Sequence, residues 1–263
     1  MALIEIEGGA IDVASEGTGP DLVLLHSLLI DRSAFDRVLP ALARKRRVHR
    51  VALPGFDRSS AMPAGAPVEA YADRIAEALR ALPLGPGAAL AGNGFGGFIA
   101  VALAARHGRL FERLLVIDAA AGFPEAGKAA FRAMAEKVSA GGMAAVAEIA
   151  ARRVFHDAYL RAHPEAVAER RAVLQRFDPA SFVGACRALE RLDLTAALSR
   201  IANPTLVLVG ELDAATPVPL ARALAEGIAG ADFVVLPDCG HCPPLEQPEA
   251  FLAAVGGFLG IGA

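Results

Sequence analysis

The sequence predicts an α/β protein with a doubly wound, mostly parallel eight-stranded sheet and an inserted helical cap. Short apolar runs alternate with helical stretches along most of the 263 residues, which is typical of a parallel sheet with helices on both faces. The inner runs are continuously apolar, as expected for strands that are covered on both faces. One long stretch breaks the alternation with helical periods alone, and this stretch predicts the cap.

Eight apolar runs are predicted to be strands. The first two lie too close in sequence for a crossover helix, so we expect them to form a hairpin, and the later runs are expected to pair mostly in parallel. The eight runs are Leu3–Ile6, Ile11–Ala14, Leu22–His26, Val48–Ala52, Ala88–Ala91, Leu114–Asp118, Thr205–Val209 and Phe233–Leu236.

Helical periods fill the intervals between these strands. In the sheet-forming part they predict helices over Ala34–Ala43, Val68–Ala81, Phe95–His107, Pro219–Glu226 and Pro248–Phe258. In the stretch without strands they predict helices over Lys128–Val138, Met143–Arg153, Pro164–Arg176 and Phe182–Leu189.

These elements divide the chain into an α/β core of residues 1–121 and 199–263 and a helical cap of residues 122–198. Open α/β sheets bind ligands at the carboxyl ends of their strands. We therefore expect the cap to cover that edge and to enclose a small-molecule substrate. The alanine- and leucine-rich cap also offers a surface for a possible homodimer.

The composition argues against nucleic-acid and membrane partners. The formal net charge is −3, so no excess of positive charge steers the protein toward polyanions. We interpret the basic run Arg44–Arg47 as a solvated helix end. Residues 81–105 carry no charge but include six glycines and two prolines, which fits a buried strand and helix better than a membrane span. The N-terminus lacks the pattern of a signal peptide.

The cysteines predict a reducing compartment, the cytoplasm, because Cys186, Cys239 and Cys242 form no even-numbered disulfide framework. Cys239 and Cys242 flank His241 with a C-x-x-C spacing, but no second ligand pair accompanies them, so no metal is predicted. No glycine-rich phosphate loop follows the first parallel strand, so no cofactor is predicted either.

A glycine-rich corner between a strand and a helix is the most informative motif. Residues 92–97 read Gly-Asn-Gly-Phe-Gly-Gly, which is typical of a nucleophile elbow, G-x-S-x-G, whose serine occupies a strained turn. Gly94 stands at the serine position, so the elbow lacks an attacking oxygen. Glycine also removes a backbone strain of about 1–3 kcal/mol, so the fold is expected to tolerate it.

Other polar residues fall at strand ends, which the sheet brings to one edge. Ser27 and Leu28 lie in the loop after the first parallel strand, Asp213 follows the seventh predicted strand and His241 follows the eighth. The order of nucleophile position, acid and histidine is that of hydrolases with this elbow. Asp118, at the end of the strand before the cap, is the alternative acid.

On these residues the chain resembles the α/β-hydrolase superfamily over essentially its whole length. Residues 141–251 are most similar to the 3-oxoadipate enol-lactonase group and related small esterases. The segments that carry this similarity are Gly141–Ala145, Pro204–Val207, Asp213–Pro217 and Leu245–Phe251.

The resemblance implies that Asp213 and His241 are the acid and base of a catalytic triad. It also implies that the backbone N–H groups of Leu28 and Phe95 form an oxyanion hole. Family members usually carry serine at the position of Gly94.

Many members of the superfamily also carry glycine at the position of Ser27. We do not expect Ser27 to replace the missing nucleophile, because its side chain begins on the oxyanion loop.

Three functions are compatible with this pattern. The first is hydrolysis of a small ester, enol-lactone or related carbonyl compound. In that case Gly94 makes this chain either an inactive variant, natural or engineered, or a variant that is impaired in acyl transfer. The second is a natural serine-less enzyme in which His241, oriented by Asp213, is a general base for lyase, hydratase, decarboxylase or cofactor-free oxygenase chemistry. The third is a ligand-binding pseudoenzyme.

Several other polar residues are given structural interpretations. We expect His26 to bond to loop backbone and Arg58 to stabilise the fold. One or two cap residues are expected to face the cleft and bind a substrate carboxylate, without a choice among Arg152, Arg153, His156, Arg170, Arg171, Arg176 and Arg187.

Overall fold

A single eight-stranded sheet forms the centre of the computed structural model, which describes residues 2–262. The strand order is β1-β2-β4-β3-β5-β6-β7-β8, and only β2 runs antiparallel to its neighbours. The predicted doubly wound, mostly parallel sheet is therefore confirmed. The strands are Ala2–Ile6 (β1), Gly9–Glu16 (β2), Asp21–Leu25 (β3), Arg47–Val51 (β4), Ala89–Asn93 (β5), Arg113–Ile117 (β6), Thr205–Gly210 (β7) and Asp232–Leu236 (β8).

The central strands owe their position to their apolar sequences. Every residue of β3, β5 and β7 is buried, because helices cover both faces of the sheet. The helices of this part are Leu39–Ala43 (α1), Val68–Ala81 (α2), Phe95–His107 (α3), Val218–Glu226 (α9), Pro243–Glu246 (α10) and Pro248–Leu259 (α11).

The single helix predicted over Ala34–Ala43 is wrong. The structure has a 3₁₀ turn at Arg32–Phe35, capped by Asp31, and a separate short helix α1 that begins at Leu39. Pro40 lies in the first turn of α1, where its missing N–H costs no hydrogen bond. A continuous helix would place this proline in a helix interior, which explains the break.

The chain between β6 and β7 is helical, as predicted. Its α-helices are Glu125–Gly141 (α4), Ala147–Val154 (α5), Asp157–Ala162 (α6), Glu165–Leu174 (α7) and Pro179–Glu190 (α8). The predicted helix Met143–Arg153 is divided into a 3₁₀ turn, Met143–Val146, and α5. Helix α6 was not predicted, because six residues are too few to show a helical period.

The two ends of this helical stretch meet beside the sheet. Gly122 and Asp193 form an isolated antiparallel bridge, and the Leu194 N–H donates to the Ala121 carbonyl at 2.7 Å. The boundary of a cap at residues 122–198 stays a prediction, and this pairing lies close to it. Within residues 2–262, no helix combines the length and apolarity needed to cross a bilayer.

Candidate active site

The turn between β5 and α3 has the geometry of a strained elbow. Gly94 separates the last residue of β5 from the first residue of α3, with φ 53° and ψ −116°. A positive φ is unfavourable for a residue with a Cβ, and glycine adopts it freely. The Gly94 N–H donates to the Ile117 carbonyl at 2.9 Å, which anchors the turn to β6.

Asp213 and His241 form a buried hydrogen-bonded pair beside this elbow. His241 Nδ1 lies 2.8 Å from Asp213 Oδ2. The turn after β7 fixes the carboxylate, because Asp213 Oδ1 accepts from the N–H groups of Ala215 at 2.7 Å and Thr216 at 3.0 Å. The Asn93 side chain donates to the His241 carbonyl at 3.0 Å and holds the histidine loop against the end of β5.

The charge state of this pair follows from its contacts. Burial acts to raise the pKa of Asp213, but the charge and hydrogen bond of His241 and the bonds from Thr216 outweigh it and lower the pKa below the ordinary value. An ionised Asp213 accepts the proton on His241 Nδ1. In the neutral imidazole with its proton on Nδ1, Nε2 can accept a proton from a hydroxyl.

Asp118 lies near Asp213 and forms no hydrogen bond with the His241 ring in residues 2–262. It is fully buried at the end of β6 with φ 48°, and its Oδ1 accepts from the Gly210 N–H at 2.8 Å. Burial first, and the neighbouring Asp213 charge second, raise the pKa of Asp118 well above its ordinary value. The acid that hydrogen-bonds to His241 is therefore Asp213. Asp118 is a second, neutral acid next to Asp213.

One ligand atom from each of Asp118, Asp213 and His241 lies within 4.8 Å of the other two. The 2.8 Å separation of Asp213 Oδ2 and His241 Nδ1 is that of a hydrogen bond, so the arrangement is that of an acid that orients a histidine.

A buried histidine fixes the loop after β3. His26 Nδ1 donates to the Ser27 carbonyl at 2.9 Å, and His26 Nε2 accepts from the Leu53 N–H at 3.1 Å. Burial lowers the pKa of His26, so the ring is neutral and fixes the peptide between Ser27 and Leu28. The structural interpretation of His26 is confirmed.

The N–H groups of Leu28 and Phe95 are both available to a ligand. Neither donates a hydrogen bond to any acceptor among residues 2–262. Phe95 is the first residue of α3, where the N–H has no partner within the helix. Two unpaired donors on residues that line one cavity with His241 can stabilise a developing oxyanion.

Ser27 lies closer to the histidine than its sequence position indicates. Its Oγ is 3.4 Å from His241 Nε2, and both residues are buried. A Cβ added to Gly94 would overlap Ser27 Oγ and would lie 2.7 Å from His241 Nε2. The sequence did not predict this contact, because the elbow and the loop after β3 are far apart in the chain and adjacent only in the folded sheet.

A small cavity opens from these polar groups between the sheet and the helices above it. Its volume is about 30 Å³. Ser27, Leu28 and His241 lie at its base. Its walls are mainly apolar and include Phe95, Phe98, Phe123, Phe131, Met134 and Leu189.

Arg153 is the one permanently charged side chain among the described residues that line this cavity. Its guanidinium carbon lies 5.6 Å from the centre of the Phe131 ring. Burial lowers the pKa of Arg153, and no carboxylate within residues 2–262 forms an ion pair with it. Arg153 and His241 also line an outer groove of about 430 Å³ that continues from the cavity.

The other cationic cap candidates have different surroundings. Arg152, Arg176 and Arg187 pair with Asp157, Asp31 and Glu190, His156 contacts Glu246, Arg171 is exposed, and Arg170 is buried on α7 away from the cavity lining. Of these candidates, only Arg153 lines the cavity, whereas Arg152 and His156 line the outer groove together with Arg153.

Arg58 has the predicted role in the fold. Its guanidinium binds both carboxylate oxygens of buried Asp12, at 3.0 and 2.9 Å.

Glu246 and Asn93 also support the site, and neither was predicted to do so. Glu246 accepts from the Gly240 N–H at 3.0 Å and from the Cys242 N–H at 3.4 Å, so it positions the loop that carries His241. Its segment, Leu245–Phe251, was noted only for its family similarity. No local pattern distinguishes a buried glutamate of this kind from an exposed one.

Comparison with known proteins agrees with this geometry. Residues 22–254 match the model of the "Alpha/beta hydrolase family". The pimeloyl-[acyl-carrier protein] methyl ester esterase of Chromobacterium violaceum is 30% identical over 251 residues, which cover 92% of this chain and 95% of that protein.

Two solved structures are similar over nearly the whole chain. The enol-lactonase from Burkholderia xenovorans LB400 has a TM-score of 0.91 and 29% identity, and the match covers 98% of this chain and 100% of that one. A thermophilic esterase from Thermogutta terrifontis, determined with malate bound, has a TM-score of 0.87 and 31% identity, with 97% and 95% coverage.

Proposed function

The chain belongs to the alpha/beta hydrolase family, and we propose on this premise that it hydrolyses small carboxylic esters or lactones that carry a free carboxylate. The observation that carries this proposal is the Asp213–His241 hydrogen bond beside the two unpaired N–H groups of Leu28 and Phe95. Acid, base and oxyanion donors of this kind serve acyl transfer.

In this proposal His241 Nε2 takes a proton from an attacking hydroxyl. Asp213 keeps the imidazole in the required tautomer and stabilises the imidazolium that forms. The N–H groups of Leu28 and Phe95 bind the carbonyl oxygen as it becomes negative, and each such donor typically contributes about 3 kcal/mol. Gly94 supplies no oxygen, so the attacking hydroxyl comes from elsewhere in the site.

The carboxylate in the substrate is inferred from Arg153. A partly buried guanidinium without an ion-pair partner among the described residues favours an anionic ligand, and a planar carboxylate accepts two hydrogen bonds from it. The surrounding phenylalanine side chains favour an apolar portion between the carboxylate and the ester. The thermophilic esterase was determined with malate, a dicarboxylate, which supports the same substrate class.

The test compares the monomethyl and dimethyl esters of one short dicarboxylic acid. The wild-type protein is expected to hydrolyse the monoester with the higher kcat/KM. Arg153→Met is expected to lower kcat/KM for the monoester about 10–100-fold, mainly through KM, and to leave the diester nearly unchanged, because a hydrogen bond to a charged group contributes about 1.5–3 kcal/mol.

Arg171→Met is the control, because Arg171 is an exposed arginine of the same helical stretch and lines neither the cavity nor the outer groove. An equal loss in both arginine variants, or equal rates for both esters in the wild type, contradicts the assignment of a carboxylate substrate. Absence of hydrolysis for every ester and lactone contradicts the hydrolase proposal itself.

A second candidate function uses His241 as a general base toward water or a substrate proton. The missing side chain at Gly94 favours this candidate, because the elbow offers no covalent nucleophile. The two candidates differ in whether an acyl-enzyme forms. Only acyl transfer through a side chain leaves a covalent intermediate.

We extend the proposal to the surroundings of the protein. Cys186, Cys239 and Cys242 are buried free thiols, which supports a reducing compartment such as the cytoplasm. A homodimer through the cap stays a prediction.

A further inference from the structure

We propose that Ser27 is the catalytic nucleophile of this protein, and that it replaces the serine missing from the elbow. This inference rests on the proposed hydrolase function and names the hydroxyl that the function requires.

The first support is the contact between Ser27 and the proton acceptor. Ser27 Oγ lies 3.4 Å from His241 Nε2, and the Nδ1 of the same ring is bonded to Asp213 at 2.8 Å. A distance of 3.4 Å is long for a hydrogen bond, and such contacts between nucleophile and base commonly tighten when substrate binds. Ser27, His241 and Asp213 thus have the connectivity of a catalytic triad.

The second support is that no other hydroxyl serves this nitrogen. Within residues 2–262, Ser27 is the only hydroxyl at hydrogen-bond distance from His241 Nε2. Thr216 approaches the other ring nitrogen and bonds to Asp213, so it supports the acid.

The third support is the relation between Ser27 and Gly94. A Cβ at position 94 would overlap Ser27 Oγ and would lie 3.0 Å from Ser27 Cβ. Ser27 in its present rotamer and a side chain at position 94 therefore exclude each other. Glycine at the elbow is the residue that lets Ser27 reach the histidine, so Gly94 complements Ser27.

The surrounding backbone also fits an attack from Ser27. His26 holds the Ser27 carbonyl, which fixes the backbone on which Oγ is carried. The adjacent N–H of Leu28 and the N–H of Phe95 are unpaired within the described chain. A substrate carbonyl bound by these donors would lie beside Ser27, because Leu28 directly follows Ser27 in the chain.

The reaction proceeds through two balanced acyl transfers. Ser27 Oγ forms a bond to the ester carbonyl carbon, the hydroxyl proton moves to His241 Nε2, and the carbonyl π electrons move to the oxygen. When the tetrahedral intermediate collapses, the bond to the alkoxy group breaks and that group leaves with the proton from His241. Water then attacks the acyl carbon and gives a proton to His241, which returns it to Ser27 as the acid leaves.

The test locates the covalent adduct of a fluorophosphonate probe by tryptic mass spectrometry. The tryptic peptide of residues 81–106 contains the elbow and has no serine, threonine or tyrosine, whereas the peptide that ends at Arg32 contains Ser27. We expect the wild-type adduct on Ser27 and none on residues 81–106.

Variants give the kinetic part of the test. Ser27→Ala is expected to lose the adduct and to lower kcat for ester hydrolysis about 10³-fold or more. The control is Ser33→Ala, because Ser33 lies in the same loop region and its Oγ has no hydrogen-bond partner among the described residues. Thermal unfolding of each variant shows that the fold is retained.

A relocation variant keeps the test informative if Ser27→Ala unfolds. Ser27→Gly combined with Gly94→Ser moves the hydroxyl to the elbow, and the adduct is expected to move to the peptide of residues 81–106. Gly94→Ser alone is expected to lower activity, because the new side chain competes with Ser27 for one space.

The outcomes separate this inference from the proposed function. Ester hydrolysis that persists in Ser27→Ala, or an adduct on another residue, overturns the role of Ser27 and leaves the hydrolase proposal standing. An adduct on Ser27 without turnover of any ester supports the nucleophile and contradicts the proposed substrate class. Absence of both adduct and turnover overturns both.

Discussion

At the scale of single residues, two acids of the same type have opposite properties because of their positions. Asp213 contacts His241 and the N–H groups of its own turn, and its pKa is lowered despite burial. Asp118 faces Asp213 from a fully buried position, and its pKa is raised. Asp213 is therefore the ionised acid that bonds to the histidine, and Asp118 is a neutral acid beside Asp213.

This separation predicts different effects for two identical substitutions. Asp213→Asn is expected to lower kcat about 10³–10⁴-fold, because the amide favours the wrong histidine tautomer. Asp118→Asn is expected to keep activity within about tenfold, because an amide can replace a neutral carboxylic acid and asparagine tolerates a positive φ. Kinetics of both variants on one ester measure the difference. The reverse ranking would assign the triad acid to Asp118.

At the scale of elements, the site depends on how closely α3 approaches β3. The Gly96 N–H donates to the His26 carbonyl at 2.9 Å. A Cβ on Gly96 would lie 2.5 Å from the Leu25 carbonyl carbon and 2.7 Å from the His26 carbonyl oxygen. These are backbone atoms, which cannot rotate away as a side chain can. This contact brings the elbow and the loop of Ser27 together.

Two helical glycines give a matched test of this contact. Gly96→Ala is expected to destabilise the protein by about 1–3 kcal/mol or more, because it overpacks α3 against β3. Gly257→Ala, in α11, has no heavy atom within 4 Å of the new Cβ and is expected to stabilise by about 0.5–1 kcal/mol. Urea unfolding measures both. Equal effects of the two substitutions would show that α3 can move away from β3.

The elements also show what the sequence could and could not predict. Apolar runs identified all eight strands, and the pattern is strongest in β3, β5 and β7, which are buried on both faces. Asp213 and His241 were predicted to follow two parallel strands. Because the carboxyl ends of parallel strands meet at one edge of the sheet, the two residues are adjacent in the structure. Pro40 divides the helix that was predicted over Ala34–Ala43, and the six residues of α6 are too few to show a helical period.

The contact of Ser27 with His241 could not be predicted for a different reason. It depends on the distance between two loops and on one side-chain rotamer, and neither leaves a periodic trace in the sequence. The same holds for the choice of Arg153 among the cap arginines. Neighbouring arginines on α5 differ only in which side of a short helix they occupy.

At the scale of the whole molecule, Glu246 connects the histidine loop to the helical stretch above it. It accepts from the Gly240 N–H, and its Oε2 lies 3.4 Å from His156 Nε2, just before α6. Burial raises the pKa of Glu246 to about 7, although the backbone hydrogen bonds act in the opposite direction. The folded state therefore holds a proton here that the unfolded chain releases near pH 4.5.

This difference predicts a specific pH dependence of stability. Between about pH 4.5 and 7 the folded state binds more protons at Glu246 than the unfolded state, so its contribution to the unfolding free energy falls as pH rises. Glu246→Gln removes this contribution. The free energy of unfolding of the variant minus that of the wild type is expected to increase by roughly 2–3 kcal/mol from pH 4.5 to pH 8.

Urea unfolding at several pH values measures this difference. Glu249→Gln is the control, because Glu249 is an exposed glutamate on the adjacent helix α11. Parallel pH profiles for wild type and Glu246→Gln would show that Glu246 is ionised at low pH in the folded state.

The bridge between Gly122 and Asp193 affects how the sequence of this protein can evolve. The chain leaves β6 and returns toward β7 past this bridge, so the residues between form a loop segment whose ends are close together. The free energy of closing such a loop changes only slowly with its length. Insertions or deletions in that loop segment, or its exchange, are expected to leave the register of β6 and β7 intact. Arg153 and part of the apolar wall lie on it, whereas Ser27, Asp213 and His241 lie outside it. We therefore expect substrate selectivity to evolve separately from the residues proposed to carry out the reaction.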